Sequence, residues 1–232
     1  MALFIDIETS GLIQTRGMPF GQNPPYTQLS KYESARIVQI SFILCNEKFE
    51  KIDERDFIIK ADGFSIDNSH IHGITNEISA SKGVPFSDVA TVLLQYVQRV
   101  SHIVARNANF DISIILSELH RIRLKSAIST IQKKKVLCTM KHTMYKVGAT
   151  NTYGIKVPSL AELYRHVMNR NLVNLHNSKY DVANLYKVVK KMYDRNELDF
   201  NETLLYEPIE YKDPIAVRLK EVIPKKVSKV KK

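Results

Sequence analysis

A chain of 232 residues, 44% of them hydrophobic, can bury one core without covalent staples. Its two cysteines, Cys45 and Cys138, lie far apart with no C-x-x-C pattern, which argues against a disulfide framework and for thiols in a reducing compartment. A net charge of +10 favours polyanionic partners, nucleic acid first, and no apolar stretch approaches the length of a membrane span.

Ala2–Ile7 is a short apolar strand that ends in acid, and Gly11 breaks it. Asp6 and Glu8 interrupt the apolar N-terminus where a secretory signal needs an unbroken run, so an intracellular, cytoplasmic protein without a membrane partner is expected. Residues 14–33 hold Gly17, Pro19, Gly21, Pro24 and Pro25 and read as a long irregular loop. Ile37–Leu44 is a near-continuous apolar run, a strand buried on both faces. Asp56–Lys60 is a third strand, and the short connections suggest an antiparallel meander.

The period then changes. Ser87 reads as an N-cap before Val89, Val92, Leu93, Tyr96, Val97 and Val100 at helical spacing. Ile103–Ala105 is a fourth strand, residues 110–123 a helix with Asn109 as its cap, and Val136–Thr139 a fifth strand. Ser159 and Glu162 form a capping-box pattern opening a helix to about Val167, and residues 180–195 make a last long helix. Strands followed by alternating helices and strands give an α/β fold, a mixed five-stranded sheet flanked by helices. The expected division is one domain over residues 1–199 and an extension over 200–232, punctuated by Pro208, Pro214 and Pro224. The last nine residues hold five lysines and no acid, so about half of the excess charge is a tail that reads as disordered, a nucleic-acid tether or a nuclear import address.

Three acidic segments stand in order along the chain: Phe4 to Gly11, Asn107 to Asp111 and His176 to Asp181. Asp6 and Glu8 share one face of a strand, where two like charges repel unless cations, protons or hydrogen bonds compensate. A strand end in solvent would carry the same pair without function. Asp111 falls in the first turn of its helix, a position that stabilises the helix dipole by itself. His176 and Asp181 would stand about 140° apart on one helix, but converge if Asn177 or Ser178 caps it.

Taken jointly, F-I-D-I-E-T-S-G-L, V-A-R-N-A-N-F-D and H-N-S-K-Y-D-V resemble the three motifs of the DEDDh (DnaQ-like) 3′–5′ exonuclease family of the RNase H-like superfamily. That family includes the proofreading epsilon subunit of DNA polymerase III and RNase T. S-A-R-I-V-Q-I-S-F, I-H-G-I-T and P-S-L-A-E-L-Y resemble its accompanying segments, and the likeness covers about Ala2 to Tyr193. Many relatives carry His where this chain has Arg106, and D-T where it has Cys138-Thr139; the 14–33 loop is longer than in the bacterial proofreading subunit.

The resemblance implies a fold, a site and a reaction. Asp6, Glu8, Asp111 and Asp181 would hold two Mg²⁺ or Mn²⁺ ions, with Asp6 bridging both, and His176 would take the proton from the attacking water. Substrate contacts would come from the backbone of Thr9 and Ser10, the side chain of Leu12, and His72 and Phe110 at the terminal nucleotide; Phe110 reads equally as core. The partner would be nucleic acid with a free 3′ end, DNA ahead of RNA, and a proofreading or repair role would require a polymerase or repair protein in trans. A nucleic-acid-binding or polymerase-associated module with weak catalysis is a third reading. Oligomeric state is not readable from the residues.

Overall fold

The computed structural model describes residues 1–198 apart from 20, 174 and 175, together with the backbone of Leu204–Leu205. The lysine tail lies outside the described residues. Strands β1 (Ala2–Thr9), β2 (Ile37–Cys45) and β3 (Lys51–Ile58) form an antiparallel meander. Helices α1 (Ser69–His72), α2 (Asn76–Lys82) and α3 (Phe86–Gln98) follow. Strand β4 (His102–Ala105) then runs parallel to β1. Helices α4 (Ala108–Arg121) and α5 (Lys125–Gln132) lead to β5 (Lys135–Cys138), parallel to β4. Short helices α6 (Thr139–His142) and α7 (Met144–Val147) precede a small hairpin, β6 (Thr150–Asn151) with β7 (Gly154–Ile155). Helices α8 (Leu160–Met168) and α9 (Ser178–Asp194) come next, and β8 (Leu204–Leu205) pairs antiparallel with β5. The sheet order is β3-β2-β1-β4-β5-β8.

The mixed α/β sheet agrees with the sequence reading, with a two-residue sixth strand at its edge. The third strand starts at Lys51, well before the predicted Asp56. It is an edge strand of mostly charged, exposed residues, so it has no apolar alternation to reveal it; pairing with β2 decides its length. Two predicted caps are also corrected. Pro85 caps α3, leaving Ser87 inside it, and Asn107 caps α4, leaving Asn109 inside. The capping box at Ser159 and Glu162 is present, and both cysteines are free. Among the described residues no helix is long and apolar enough to cross a membrane.

Alternation along the strands divides the interior into two cores. Leu3, Ile5 and Ile7 of β1, with Ile40, Phe42 and Leu44 of β2, face α3, α4 and α5. Ala2 and Phe4, with Ile43 and Cys45, face α8 and α9 through Leu163, Val182, Leu185 and Val189. Every residue of β2 is buried, as a strand covered on both faces requires. The second face carries Ala2, Phe4, Asp6 and Glu8 in succession. It turns from apolar to acidic where the sheet passes the start of α9, and the site lies at that change.

Candidate active site

A cavity of about 670 Å³ opens at the C-terminal end of β1. Asp6, Glu8, Asp111, Asp181 and His176 all line it, so three segments far apart in sequence meet at one point. Carboxylate oxygens of Asp6, Glu8 and Asp181 lie within 4.8 Å of one another. Asp111 enters from the first turn of α4, buried to 5% exposure, and its carboxylate takes hydrogen bonds from main-chain groups of Asp111 and Ile7. The β1 edge is open there because β4 pairs with β1 only from Ala2 to Phe4.

Electrostatics follow from that crowding. Burial, reinforced by Asp111, Asp181 and Glu8, raises the Asp6 carboxyl well above its ordinary range. Burial pushes Glu8 up to about 7, with Asp181 and Asp111 adding to the effect. Asp111 also rises to about 7 through burial, although its main-chain hydrogen bonds and Arg106 oppose the shift. Burial raises Asp181 as well. Four carboxyls that all resist ionisation in one place lack a positive charge. Arg106 lines the same cavity, but one of its Nη atoms is held by the Pro158 carbonyl at 3.1 Å.

The start of α9 is built to present ligands. His176 stands just before the Asn177 cap in a left-handed backbone conformation, φ 63°, which costs a non-glycine residue about 1–2 kcal/mol. In that pose its N–H donates to Asp181 Oδ2 at 3.1 Å. The other oxygen, Asp181 Oδ1, is buried and accepts no hydrogen bond. A buried, orphaned carboxylate oxygen facing two further carboxylates fits a cation, and an all-oxygen donor set fits a hard divalent one.

A second polar row fixes α9 at this position. In the β1–β2 register Asp6 stands opposite Ser41 and Glu8 opposite Gln39. Asp56 Oδ1 accepts from Ser41 Oγ and from Gln39 Nε2, each at 2.7 Å. Ser41 Oγ meets Ser178 Oγ at 2.6 Å, and Gln39 Oε1 accepts the Ser178 N–H at 3.3 Å. Ser178 is the first residue of α9, so the sheet grips the helix three residues from Asp181.

The residues expected at the substrate divide. Thr9, Leu12, His72 and Phe110 line the cavity; Leu12 is 74% exposed at its mouth. Phe110 packs against the core and also lines the cavity. His72 is buried; its Nδ1 accepts the Ile74 N–H at 3.1 Å, and Nε2 lies 3.2 Å from Asn68 Oδ1. Asn68 in turn donates to the Thr9 carbonyl at 2.9 Å, so His72 and Asn68 fasten α1 to the end of β1. Ser10 is not brought to the cavity: its N–H donates to the Arg36 carbonyl at 2.9 Å and its hydroxyl accepts the Arg36 N–H at 3.1 Å. Gly11 is demanded by the close approach of the same segment, because a Cβ there would lie 2.5 Å from the Ser34 carbonyl oxygen. The sequence reading missed Asn68, Asn107, Ser159, Leu160 and Ala161 as wall residues. Only the four-residue spacing of Asn68 and His72 on a helix could have signalled the first.

The family profile of the RNase T-type exonucleases matches residues 3–189. DNA polymerase III subunit epsilon of Buchnera aphidicola is 28% identical over 139 residues, 57% of this chain and 55% of that subunit, so the match spans about half of the relative. Among solved structures, the nuclease domain of 3′hExo, a DEDDh family member bound to rAMP, aligns with a TM-score of 0.62 at 16% identity over 88% of this chain and 96% of that one. Exonuclease X in complex with 5′ overhanging duplex DNA aligns at 0.56 and 19% identity over 87% and 96%. E. coli Exonuclease I with a dT13 oligonucleotide aligns at 0.62 and 18% over 84% and 41%. The family match takes in strands β1 to β5 from Leu3 onward and the three acidic segments that meet beside them, and the chain belongs to the exonuclease family represented by RNase T.

Proposed function

We propose that the protein is a metal-dependent 3′–5′ exonuclease that hydrolyses phosphodiester bonds at DNA 3′ ends and releases nucleoside 5′-monophosphates. The observation that carries the reading is the meeting of Asp6, Glu8, Asp111, Asp181 and His176 around one cavity, with Asp181 Oδ1 buried and without a hydrogen bond. Asp6, Glu8 and Asp181 would hold the cations, with Asp111 completing the set, as two Mg²⁺ or Mn²⁺ ions. When bound, such a pair neutralises the carboxylates and stabilises charge on the attacking and leaving oxygens.

The chain's own groups do the rest. His176, on the exposed side of the cluster, accepts the proton of the attacking water. Leu12 and Phe110 supply apolar surface for the terminal base, and the open cavity mouth admits one strand end. His72 holds Asn68 on the Thr9 carbonyl at the cavity wall, where it would also meet the terminal nucleotide. The partial match to an epsilon subunit supports a polymerase as partner in trans.

Hydrolysis of RNA 3′ ends is the second reading. It is favoured by neighbours bound to rAMP and engaged in 3′-end-specific recognition of a histone mRNA stem-loop. Incubating 5′-labelled single-stranded DNA, duplex DNA and RNA of one sequence with Mg²⁺, Mn²⁺ or EDTA tests both. A metal-dependent ladder shortening from the 3′ end is expected, fastest on DNA. Faster shortening of RNA selects the second reading, and no cleavage under any condition leaves a binding module.

A further inference from the structure

Between Glu118 and Glu162 lie 43 residues without one aspartate or glutamate, carrying nine lysines and arginines. Extended to Tyr180, the band holds twelve such cations against the single acid Glu162, a net +11 that exceeds the +10 of the whole chain. The basic character of the described structure is therefore concentrated in one stretch. Part of that stretch adjoins the active site. Pro158 accepts the Arg106 hydrogen bond, and Ser159, Leu160 and Ala161 form the cavity wall.

Just upstream stands the β6–β7 hairpin, and it is firmly held. The Lys156 N–H donates to the Ala149 carbonyl at 2.8 Å, and Lys156 Nζ bridges both oxygens of Glu162 at 2.8 and 2.7 Å. Asn151 Oδ1 accepts the Tyr153 N–H at 2.9 Å, fixing the tip. That rigid tip presents Tyr153 at 95% exposure. Tyr145, one turn before the hairpin, is 79% exposed, and Ile155 and Val157 are also open to solvent. Six extended residues at about 3.5 Å each place Tyr153 within roughly 21 Å of Ser159 at the cavity wall. Two exposed rings stand beside Lys141 and Lys146, with Lys156 paired to Glu162, and so combine stacking faces with a cationic surface.

We infer that this unit, Lys141 to Lys156, is a track for single-stranded nucleic acid, with bases stacking on Tyr145 and Tyr153 while the 3′ end occupies the cavity. The inference rests on the exonuclease reading for its direction, but its test does not require cleavage. A single strand is the occupant because the cations suit a polyanion, whereas only unpaired bases offer flat faces to two exposed rings. Recognition would be independent of sequence, since every base has such a face.

The test uses the full-length chain in EDTA, where no cleavage competes, and fluorescent oligo-dT of 20 nucleotides. Heparin serves as a polyanion without bases. Tyr145→Ala and Tyr153→Ala should each weaken oligo-dT binding about tenfold, leave heparin binding unchanged and keep the slope of affinity against salt. Tyr153→Phe should restore the loss, and Lys141→Gln should lower the salt slope instead. Unchanged oligo-dT binding in the Tyr145→Ala/Tyr153→Ala double variant overturns the track, as does an equal loss for heparin or a Tyr153→Phe protein as weak as Tyr153→Ala. Absent cleavage of every substrate by the wild type removes the exonuclease reading alone.

Discussion

Two polar rows lie side by side on one face of the sheet. On β2 and β3, Gln39, Ser41 and Asp56 bond to one another and to Ser178. On β1, Asp6 and Glu8 stand directly opposite Ser41 and Gln39, yet face Asp111 and Asp181 with no cation salt-bridged to any of the four among the described residues. Equivalent positions in neighbouring strands thus have opposite energetics. Satisfied buried polar groups specify a structure, whereas uncompensated like charges oppose it. The first row sets the position of α9, and the second keeps a demand for positive charge that a metal can meet.

The sharpest way to break the contrast is to remove its costly half. Asp6→Ala should lower cleavage by about three orders of magnitude, the scale on which one charge-stabilising group acts, while the melting temperature in EDTA rises. A near-wild-type rate would show that the acidic row is not the metal site.

Next comes pH. Carboxyls whose folded pKa lies above the unfolded value contribute stability that is present below the unfolded pKa and lost as pH rises through the folded one. For Glu8, 4.5 to about 7, and for Asp111, 3.8 to about 7, stability in EDTA should therefore fall between about pH 4 and 7, by roughly 3 kcal/mol for one such carboxyl. Mg²⁺ should restore more at pH 8 than at pH 5, and Asp111→Asn should flatten the EDTA profile. Thermal unfolding across pH, with and without Mg²⁺, checks this; a flat wild-type profile would contradict the electrostatic account.

The satisfied row should behave oppositely. Ser41→Ala removes the shared hydroxyl between Asp56 and Ser178 and should cost about 1–3 kcal/mol at every pH. Turnover should also fall, with KM little changed, because α9 carries Asp181 and His176 toward the site; lost stability with intact turnover would make the network a fold element only. Smallest of all, Asp194→Ala removes the exposed pair with Lys190 at the far end of α9. It should change stability by no more than about 0.5 kcal/mol, leaving turnover untouched.

Much of the site was legible because short-range geometry dictates it. Asp6 and Glu8 share a face since strand side chains alternate, and Asn177 capping α9 puts His176 on the loop and Asp181 in the first turn. The buried β2 and the Ser159 capping box were legible for the same reason. Asp111 alone read as a helix-dipole residue; it becomes a cavity carboxylate only because the open edge of β1 brings Ile7 beside it. Strand β3 escaped its predicted limits because pairing, not hydrophobicity, sets them.

By itself the sequence determined the α/β architecture, the order of the acidic motifs and the residue types of the site, all consequences of periodicity, capping and spacing along the chain. Tertiary structure alone decided that Ser10 bonds to Arg36 beside β2, that His72 supports Asn68 and Thr9, and that Gln39, Ser41, Asp56 and Ser178 lock α9 beside the acids. Those contacts join residues up to 139 positions apart, and such pairings are fixed by strand register and by helix packing on the sheet, neither of which leaves a local mark in the chain.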